Sequence, residues 1–306
     1  MRILVTGGAG FIGCHLAARL AGRGDQVVVA DDFSCASWRN LVRFAGDVVT
    51  VDVAGDTRTL DKLFPFDAVL HQGSITDTTV ADQRQMMHNN VEGFRAILDL
   101  SVKHRSRVIW ASSASIYGNG PAPMKESQPP DPRNVYAYSK LAMEHLAQQY
   151  APKMVRPQIA LRYFNVYGPH EDHKGKFASM IHQLARQMRS GKRPRIFTAG
   201  EQRRDFVHVD DVVDANLRAL DYDGGGVFNV GSGAGETFNR VVAELNRILK
   251  TDLQPDYFQN PYGFTQDRTQ ADLTAARKAL GYSPKFNLST GIDAYMASGQ
   301  LGITTA

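Results

Sequence analysis

A glycine-rich turn near the start of the chain constrains the fold more than any other sequence feature. An apolar run, Arg2–Thr6, leads directly into glycines spaced three residues apart, and a helical pattern opens at Phe11. Glycines allow a tight turn and bring backbone N–H groups close to a pyrophosphate at the helix N-terminus. The turn therefore predicts a dinucleotide site built from backbone atoms. The contacts that we predict there are Gly7, Gly10, Phe11, Ile12 and Gly13.

Acidic residues end the next two strand patterns, where the rest of such a ligand would lie. Asp31 and Asp32 follow the run Gln26–Ala30, about twenty residues after the turn, and a carboxylate there can accept hydrogen bonds from adenosine ribose hydroxyls. Asp52 and Val53 close the third strand pattern, at the expected position of the adenine. Strand, turn, helix, strand and acid together indicate a cofactor site rather than a turn that serves packing alone.

The same carboxylates bear on which dinucleotide binds. A negative charge at Asp31, reinforced by Asp32, repels a 2′-phosphate, and this repulsion favours NAD over NADP. Arg39 or Arg43 would offset the repulsion if the loop after the second strand folds inward. We therefore expect NAD and retain NADP as the alternative.

Short β-branched runs alternate with amphipathic helical stretches along the chain. Continuous apolar strands between such helices indicate a parallel sheet covered on both faces, with right-handed crossovers. We predict an α/β fold, a Rossmann-type doubly wound parallel sheet with a smaller, interleaved α/β substrate-binding cap. The predicted strands are Arg2–Thr6, Gln26–Ala30, Val48–Val51, Ala68–His71, Val108–Ser112, Gln158–Tyr163 and Gly226–Val230. The predicted helices are Phe11–Arg23, Thr59–Leu63, Gln83–Lys103, Val135–Tyr150, Phe177–Ser190, Val209–Asp221, Phe238–Lys250 and Asp272–Gly281.

The pattern becomes less regular beyond Tyr163, and this change divides the chain. We assign residues 1–165 to an NAD(P)-binding domain, to which a later segment, about 205–232, returns. Residues 166–306 are assigned mostly to the substrate-binding domain, with a loop at Gln254–Gln266.

Composition excludes several other classes of protein. Lys and Arg number 35 and Asp and Glu 31, and the resulting charge of +4 is dispersed without an aromatic–basic platform, so we expect no nucleic-acid partner. Cys14 and Cys35 are too few for a disulfide framework or a zinc site, and we expect no metal. The apolar runs are too short to span a bilayer, and the N-terminus has no signal-peptide core. We therefore expect no membrane partner and a cytoplasmic location.

A Tyr-x-x-x-Lys motif supplies the first candidates for catalysis. Its spacing places Tyr136 and Lys140 on one helix face, one turn apart. A nearby ammonium favours the tyrosine phenolate, which can then act as a base at neutral pH. The spacing alone would describe a surface pair. Here a serine-rich strand end, at Ser112 and Ser113, precedes it, and a serine at the carboxyl end of a central strand faces the ligand crevice.

These motifs, taken in order, resemble the extended short-chain dehydrogenase/reductase family of nucleotide-sugar epimerases, dehydratases, decarboxylases and reductases. The glycine turn, Ser-Ser-Ala-x-x-Tyr-Gly, Tyr-x-x-x-Lys and the run Arg162–Pro169 carry the resemblance. It implies that Ser113, Tyr136 and Lys140 form a catalytic triad, of which the tyrosine and lysine also contact the cofactor. Ser112 and Tyr138 are the neighbours most easily confused with the triad.

The resemblance also suggests how the nucleotide sugar is bound. Asn165 and Arg204 would contact its nucleotide-diphosphate part, the arginine through charge-assisted hydrogen bonds to phosphate. Family members commonly pair through helices like those predicted at Gln83–Lys103 and Val135–Tyr150, which implies a homo-oligomer.

A segment after the sixth strand narrows the resemblance. Glu-x-His-Lys-Gly, from Glu171, followed by Ala-Ser resembles the branch of the family that epimerises C6 of ADP-linked glycero-manno-heptoses, in which the lysine is a second acid/base. Epimerisation through a ketone needs a proton-transfer group in either substrate orientation, and one tyrosine serves only one of them. The resemblance therefore implies that Lys174 is catalytic and contacts substrate, with His173 beside it. The alternative is that Lys174 is a loop lysine that binds phosphate.

The sequence thus predicts an NAD(P)-dependent epimerase of a nucleotide-diphosphate sugar, with a heptose as the favoured sugar. Because the transient ketone is reduced again, no net redox change occurs and the dinucleotide should stay tightly bound between turnovers. One alternative is a UDP-hexose 4-epimerase that uses Ser113 and Tyr136 without Lys174. The alternative from another class is a dinucleotide-sensing protein, which would have no need for an intact Ser/Tyr/Lys set.

Overall fold

A parallel sheet runs through the centre of the molecule in the computed structural model, which describes residues 1–77, 82–261 and 264–303. The strands in these ranges are β1 (Arg2–Thr6), β2 (Gln26–Asp31), β3 (Asp47–Thr50), β4 (Ala68–His71), β5 (Arg107–Ser113), β6 (Ile159–Tyr163), β7 (Asn165–Tyr167), β8 (Arg195–Phe197), β9 (Arg203–Arg204), β10 (Phe206–His208), β11 (Gly226–Val230), β12 (Glu236–Thr237) and β13 (Asp256–Phe258). The helices are α1 (Phe11–Gly22), α2 (Arg58–Leu63), α3 (Gln83–Met87), α4 (Gly93–His104), α5 (Val135–Tyr150), α6 (Met180–Arg189), α7 (Val209–Asp221), α8 (Phe238–Leu249), α9 (Thr274–Leu280) and α10 (Leu288–Ala297).

The sheet order is β11-β6-β5-β4-β1-β2-β3, and its adjacent strands are parallel. The order in which successive strands are added to the sheet reverses between β1 and β4. A crevice opens at the carboxyl ends of these two strands, where ligands bind in folds of this kind. The predicted Rossmann-type doubly wound fold is confirmed. The strand β11, from the later part of the chain, pairs with β6.

Both faces of the sheet are covered, which explains why its central strands are apolar without alternation. Ile3 and Val5 pack into one core together with residues of α1 and α7, such as Leu16 and Val212. Leu4 faces the other side and joins a separate core that includes Ile97 of α4. A further core lies among α6, α8 and α10 and belongs to the cap.

The structure differs from the predicted elements where tertiary contacts decide the local backbone. The single helix predicted at Gln83–Lys103 is α3 and α4 joined by a π-helical turn, His88–Glu92. The predicted start of the helix at Phe177 was wrong, because the Ser179 side chain caps α6. The predicted loop Gln254–Gln266 contains β13, which pairs with β8, while its residues 262–263 lie outside the described residues. The helix α10 was not predicted.

Within the described ranges, no helix is both long enough and apolar enough to cross a membrane.

We predict that Gly13→Ala destabilises the protein, because a Cβ at this position would lie 2.1 Å from the Gly7 carbonyl oxygen. Overpacking of this kind costs about 1–3 kcal/mol. Gly22→Ala is the matched control: it lies on the same helix, and a Cβ there meets no atom within 4 Å. The free energies of unfolding from urea titrations should separate the two variants. Equal stability of both would show that the backbone contact at Gly13 has no energetic role.

Candidate active site

The glycine turn is closed by contacts between backbone segments. Gly7 has a φ of +66°, and a Cβ there would lie 2.5 Å from the nitrogen of Gly73, which follows β4. The Gly7 N–H also donates to the Ala30 carbonyl of β2 at 2.8 Å. Among the described residues, no side chain caps the N-terminus of α1. The first N–H groups of that helix, including those of Phe11 and Ile12, can therefore bind an anion.

The carboxylate of Asp31 is buried beneath this turn. Its two oxygens accept hydrogen bonds from the backbone N–H groups of Ala9 and Phe33, each at 2.9 Å. Burial raises the pKa of Asp31, against the effect of those hydrogen bonds. Asp31 thus stabilises the turn through these hydrogen bonds and is also a candidate ribose contact. Asp32 is exposed and accepts from the backbone and hydroxyl of Ser34.

The other residues predicted at the adenosine end are more open. Asp52 is exposed and accepts from the Ala54 N–H at 2.8 Å, while Val53 is half-buried. Arg39 and Arg43 are both exposed, and the Arg39 guanidinium lies 5.0 Å from the centre of the Trp38 ring system.

Lys140 is buried at the carboxyl edge of the sheet. Its Nζ donates to the Ser74 hydroxyl at 2.7 Å and to the Ala111 carbonyl at 2.9 Å, and it lies 5.9 Å from the centre of the Tyr136 ring. Burial lowers the pKa of Lys140 to about 7. The lysine can therefore lose or gain a proton near neutrality, beside the tyrosine predicted as the base.

Tyr136 and Ser113 meet across the crevice. Burial raises the pKa of Tyr136, while a hydrogen bond with Ser113 acts in the opposite direction. In the protein alone, the cost of burying the phenolate is therefore larger than the effect of the Ser113 hydrogen bond, and the effect of the Lys140 charge on the phenolate stays a prediction. Ser113 lies at the end of β5, and its Oγ accepts from the Ser115 N–H at 3.1 Å.

The two neighbours that the motifs could confuse with these residues lie elsewhere. Ser112 donates to Glu144 at 2.6 Å, and Glu144 forms a buried ion pair with Arg162, also at 2.6 Å. Tyr138 is 53% exposed on the outer side of α5. The structure thus brings Ser113, rather than Ser112, to the tyrosine at position 136.

Lys174 lies against the start of α1, on a 3₁₀ segment, Asp172–Phe177. Its Nζ is 5.5 Å from the centre of the Phe11 ring. Burial lowers the pKa of Lys174, and the charge of Glu171 raises it. The neighbouring His173 ring approaches the Asn40 amide at 3.3 Å. Because the same amide donates to the Ala9 carbonyl at 2.9 Å, the lysine segment is connected to the glycine turn.

The two residues predicted to bind the nucleotide-diphosphate part lie in short strands outside the seven-stranded sheet. Asn165, at the start of β7, is exposed, and its side-chain oxygen is 3.5 Å from the Thr269 hydroxyl. The Arg204 guanidinium lies 5.7 Å from the centre of the Phe238 ring. Burial lowers the pKa of Arg204 to about 10, against the charge of Asp267.

Asn90 is a residue of the site that sequence reasoning missed. It is fully buried, and its side chain donates to Ser139 at 2.9 Å and accepts from the Ile75 N–H at 2.8 Å. Ser139 in turn donates to the Tyr136 carbonyl at 2.8 Å. Asn90 therefore joins the loop after β4 to the helix that carries Tyr136. An asparagine within an otherwise helical pattern was the available signal.

The class of protein follows from comparison with known families. Residues 3–231 match the NAD dependent epimerase/dehydratase family, and the chain belongs to it. The chain is 37% identical to an ADP-L-glycero-D-manno-heptose-6-epimerase of Brachyspira hyodysenteriae, with 96% of each chain covered.

Solved structures are similar over nearly the whole chain. The Helicobacter pylori ADP-L-glycero-D-manno-heptose-6-epimerase superposes with a TM-score of 0.91 and 37% identity, covering 97% of this chain and 95% of that one. The Thermotoga maritima UDP-glucose 4-epimerase, solved with UDP-glucose, has the same TM-score of 0.91 and 32% identity, covering 98% and 99%.

Proposed function

We propose that this protein is an epimerase of ADP-glycero-manno-heptose that inverts C6 through a transient ketone. The observation that carries the proposal is the position of Lys174 against Phe11, at the glycine turn, in a site that already holds Ser113 and Tyr136. Two groups that can transfer protons therefore lie along one crevice. The 37% identity to a heptose epimerase over 96% of the chain supports the choice of substrate.

The residues around the turn fit NAD. Gly7 and Gly13 let the backbone segments of the turn pack directly against one another, and the free N-terminus of α1 suits a pyrophosphate. Asp31 and Asp32 would face the adenosine ribose, and their negative charge favours NAD over NADP. The chemistry that NAD would supply when bound is reversible hydride transfer, from the sugar carbinol and back to the other face of the ketone.

Tyr136 would take the hydroxyl proton in one substrate orientation. Ser113 can donate a hydrogen bond to the reacting oxygen and holds the tyrosine in place. Lys140, close to Tyr136 and with a pKa of about 7, supplies positive charge when protonated. That charge favours the phenolate form that a base requires.

Lys174 would serve the other orientation. Its lowered pKa makes the neutral amine easier to form than in an exposed lysine, so that it can accept the hydroxyl proton or return it to the ketone oxygen. His173 would contact the sugar beside it. Asn165 and Arg204 would bind the diphosphate part of the substrate, the arginine by charge-assisted hydrogen bonds.

The proposal includes a cytoplasmic location and assembly into a homo-oligomer. Cys14 is buried and Cys35 exposed, and both are free thiols, as is usual in a reducing cytoplasm. Pairing of two chains through α4 and α5 would give a homo-oligomer like those expected in this family.

Incubation with ADP-D-glycero-D-manno-heptose should invert C6, because both orientations of the ketone have a proton-transfer group. NMR of the heptose C6 proton measures the inversion. UDP-glucose is the parallel substrate, since the UDP-glucose 4-epimerase of Thermotoga maritima has 32% identity to this chain. Conversion of UDP-glucose without any change at the heptose C6 would replace this proposal with a hexose 4-epimerase.

Tyr136→Phe and Lys174→Ala should each lower kcat by about 10²–10⁴-fold, the usual contribution of a general acid or base. Both variants should retain bound dinucleotide. The controls are Tyr138→Phe and Lys176→Ala, which change exposed residues on the same helix and the same segment. Steady-state rates with the heptose decide the outcome. Full activity of Lys174→Ala would exclude an acid/base role for that lysine and favour the alternative role of a phosphate contact.

The nucleotide that copurifies with the protein should be NAD, because the carboxylates of Asp31 and Asp32 repel a 2′-phosphate. Mass spectrometry of the nucleotide released by denaturation distinguishes the two cofactors. Recovery of NADP would mean that Arg39 or Arg43 folds inward and outweighs the carboxylates.

A further inference from the structure

Glu171 is a buried carboxylate for which the mechanism above has no role. Its side chain has no exposed surface, and it lies three residues before Lys174. Burying a carboxylate is costly unless several donors compensate for the lost water. The contacts that compensate Glu171 indicate what it does.

The Glu171 carboxylate connects the two ends of the segment 168–179. At one end, the Gly168 N–H donates to its Oε1 at 3.2 Å. At the other end, Ser179 donates twice, from its backbone N–H to Oε2 at 2.5 Å and from its hydroxyl to Oε1 at 2.8 Å. The Ser179 hydroxyl also accepts from the His182 N–H and so begins α6. One side chain thus closes the segment into a loop anchored on a helix.

Lys174 lies within this loop and is tied to the same residue. Its backbone N–H donates to the Glu171 carbonyl at 3.0 Å. On the far side, His173 approaches Asn40, which bonds to the glycine turn. The lysine is therefore held between the Glu171 contacts and the cofactor site.

The charge of Glu171 acts on Lys174 and on few other groups. It raises the pKa of Lys174, opposing burial. The other titratable groups that its charge affects are Tyr167 of β7, His182 of α6 and Tyr295 of α10, and Asp172 acts on the last two as well. Lys174 is the cation among them that belongs to the proposed reaction.

We propose that Glu171 is a positioning residue, whose carboxylate closes the segment 168–179 so that Lys174 faces the substrate. The negative charge of the same carboxylate also stabilises the lysine ammonium. This proposal rests on the proposed role of Lys174 as a second acid/base. It gives the glutamate of the Glu-x-His-Lys-Gly motif a function separate from ordinary core packing.

Glu171→Gln and Glu171→Asp separate the two effects. The glutamine removes the charge and puts an amide donor where an N–H donor already points, whereas the aspartate keeps the charge but is one methylene shorter. Both should lower kcat by about 100-fold, as expected for a misplacement of about 1 Å. The limb of the pH–rate profile that reports Lys174 should move to lower pH in Glu171→Gln alone. Glu92→Gln, at an exposed ion pair with Arg95, is the matched control. It should change neither kcat nor the pH–rate profile.

A measurement without substrate keeps this test independent of the heptose. Labelling of Lys174 with an amine-reactive reagent, followed by mass spectrometry over a range of pH, reports the pKa of that lysine in the holoenzyme. Its midpoint should fall in Glu171→Gln and stay in Glu171→Asp, with exposed Lys176 as the internal reference. A shifted midpoint in a protein that does not convert the heptose would overturn the proposed function but keep the link between Glu171 and Lys174.

The proposal for Glu171 fails if the labelling midpoint and kcat of both variants match those of the native protein. A lower Tm with an unmoved pH limb and an unmoved midpoint would also overturn it, because it would assign Glu171 to stability alone. If Glu171→Gln does not fold, the test of the proposal relies on Glu171→Asp. A native kcat in Glu171→Asp would exclude the positioning role.

Discussion

Close packing of backbone against backbone at Gly7 is the constraint on which the rest of the site depends. The turn touches Gly73 after β4 and the first turn of α1 at Gly13, and it bonds to Ala30 of β2. Because these contacts join main chains, side chains cannot adjust to relieve a change there. The buried carboxylate of Asp31 accepts from the Ala9 N–H and fixes the turn from below. The mouth of the crevice is thus rigid before any ligand enters.

Rigidity at the mouth allows costly polar groups to be held behind it. Among the described residues, the buried Lys140 has a hydroxyl and a carbonyl as its hydrogen-bond acceptors, and its lowered pKa reflects the free energy that this burial costs. A core without function would place an apolar residue there. The network of Asn90 and Ser139 adds further buried polar atoms in order to orient the helix of Tyr136. Perturbed groups of this kind concentrate where proton transfer is required.

The sequence predicted the sheet and the longer helices well and the short strands outside the sheet poorly, for physical reasons that particular elements illustrate. The strands β1, β4 and β11 were predicted with their observed bounds, since continuous apolar runs between helices carry a strong local signal. The strand β13 is three residues long and forms because it pairs with β8. Its own sequence is too short to carry a strand pattern that could predict it. The π-helical turn at Asn90 likewise depends on contacts with Ile75 and Ser139, which are distant in sequence.

The same distinction applies to the candidate site. Tyr136 and Lys140 could be paired from their spacing because a regular helix places residues four apart on one face. Lys174 lies on an irregular segment, so its position against Phe11 depends on the contacts of Glu171 and Asn40 rather than on any repeat. The regular part of the site carries Tyr136 and Lys140, the pair proposed to act in one substrate orientation. The second proton-transfer group, and with it the choice of sugar, would then depend on how firmly one buried glutamate holds an irregular loop.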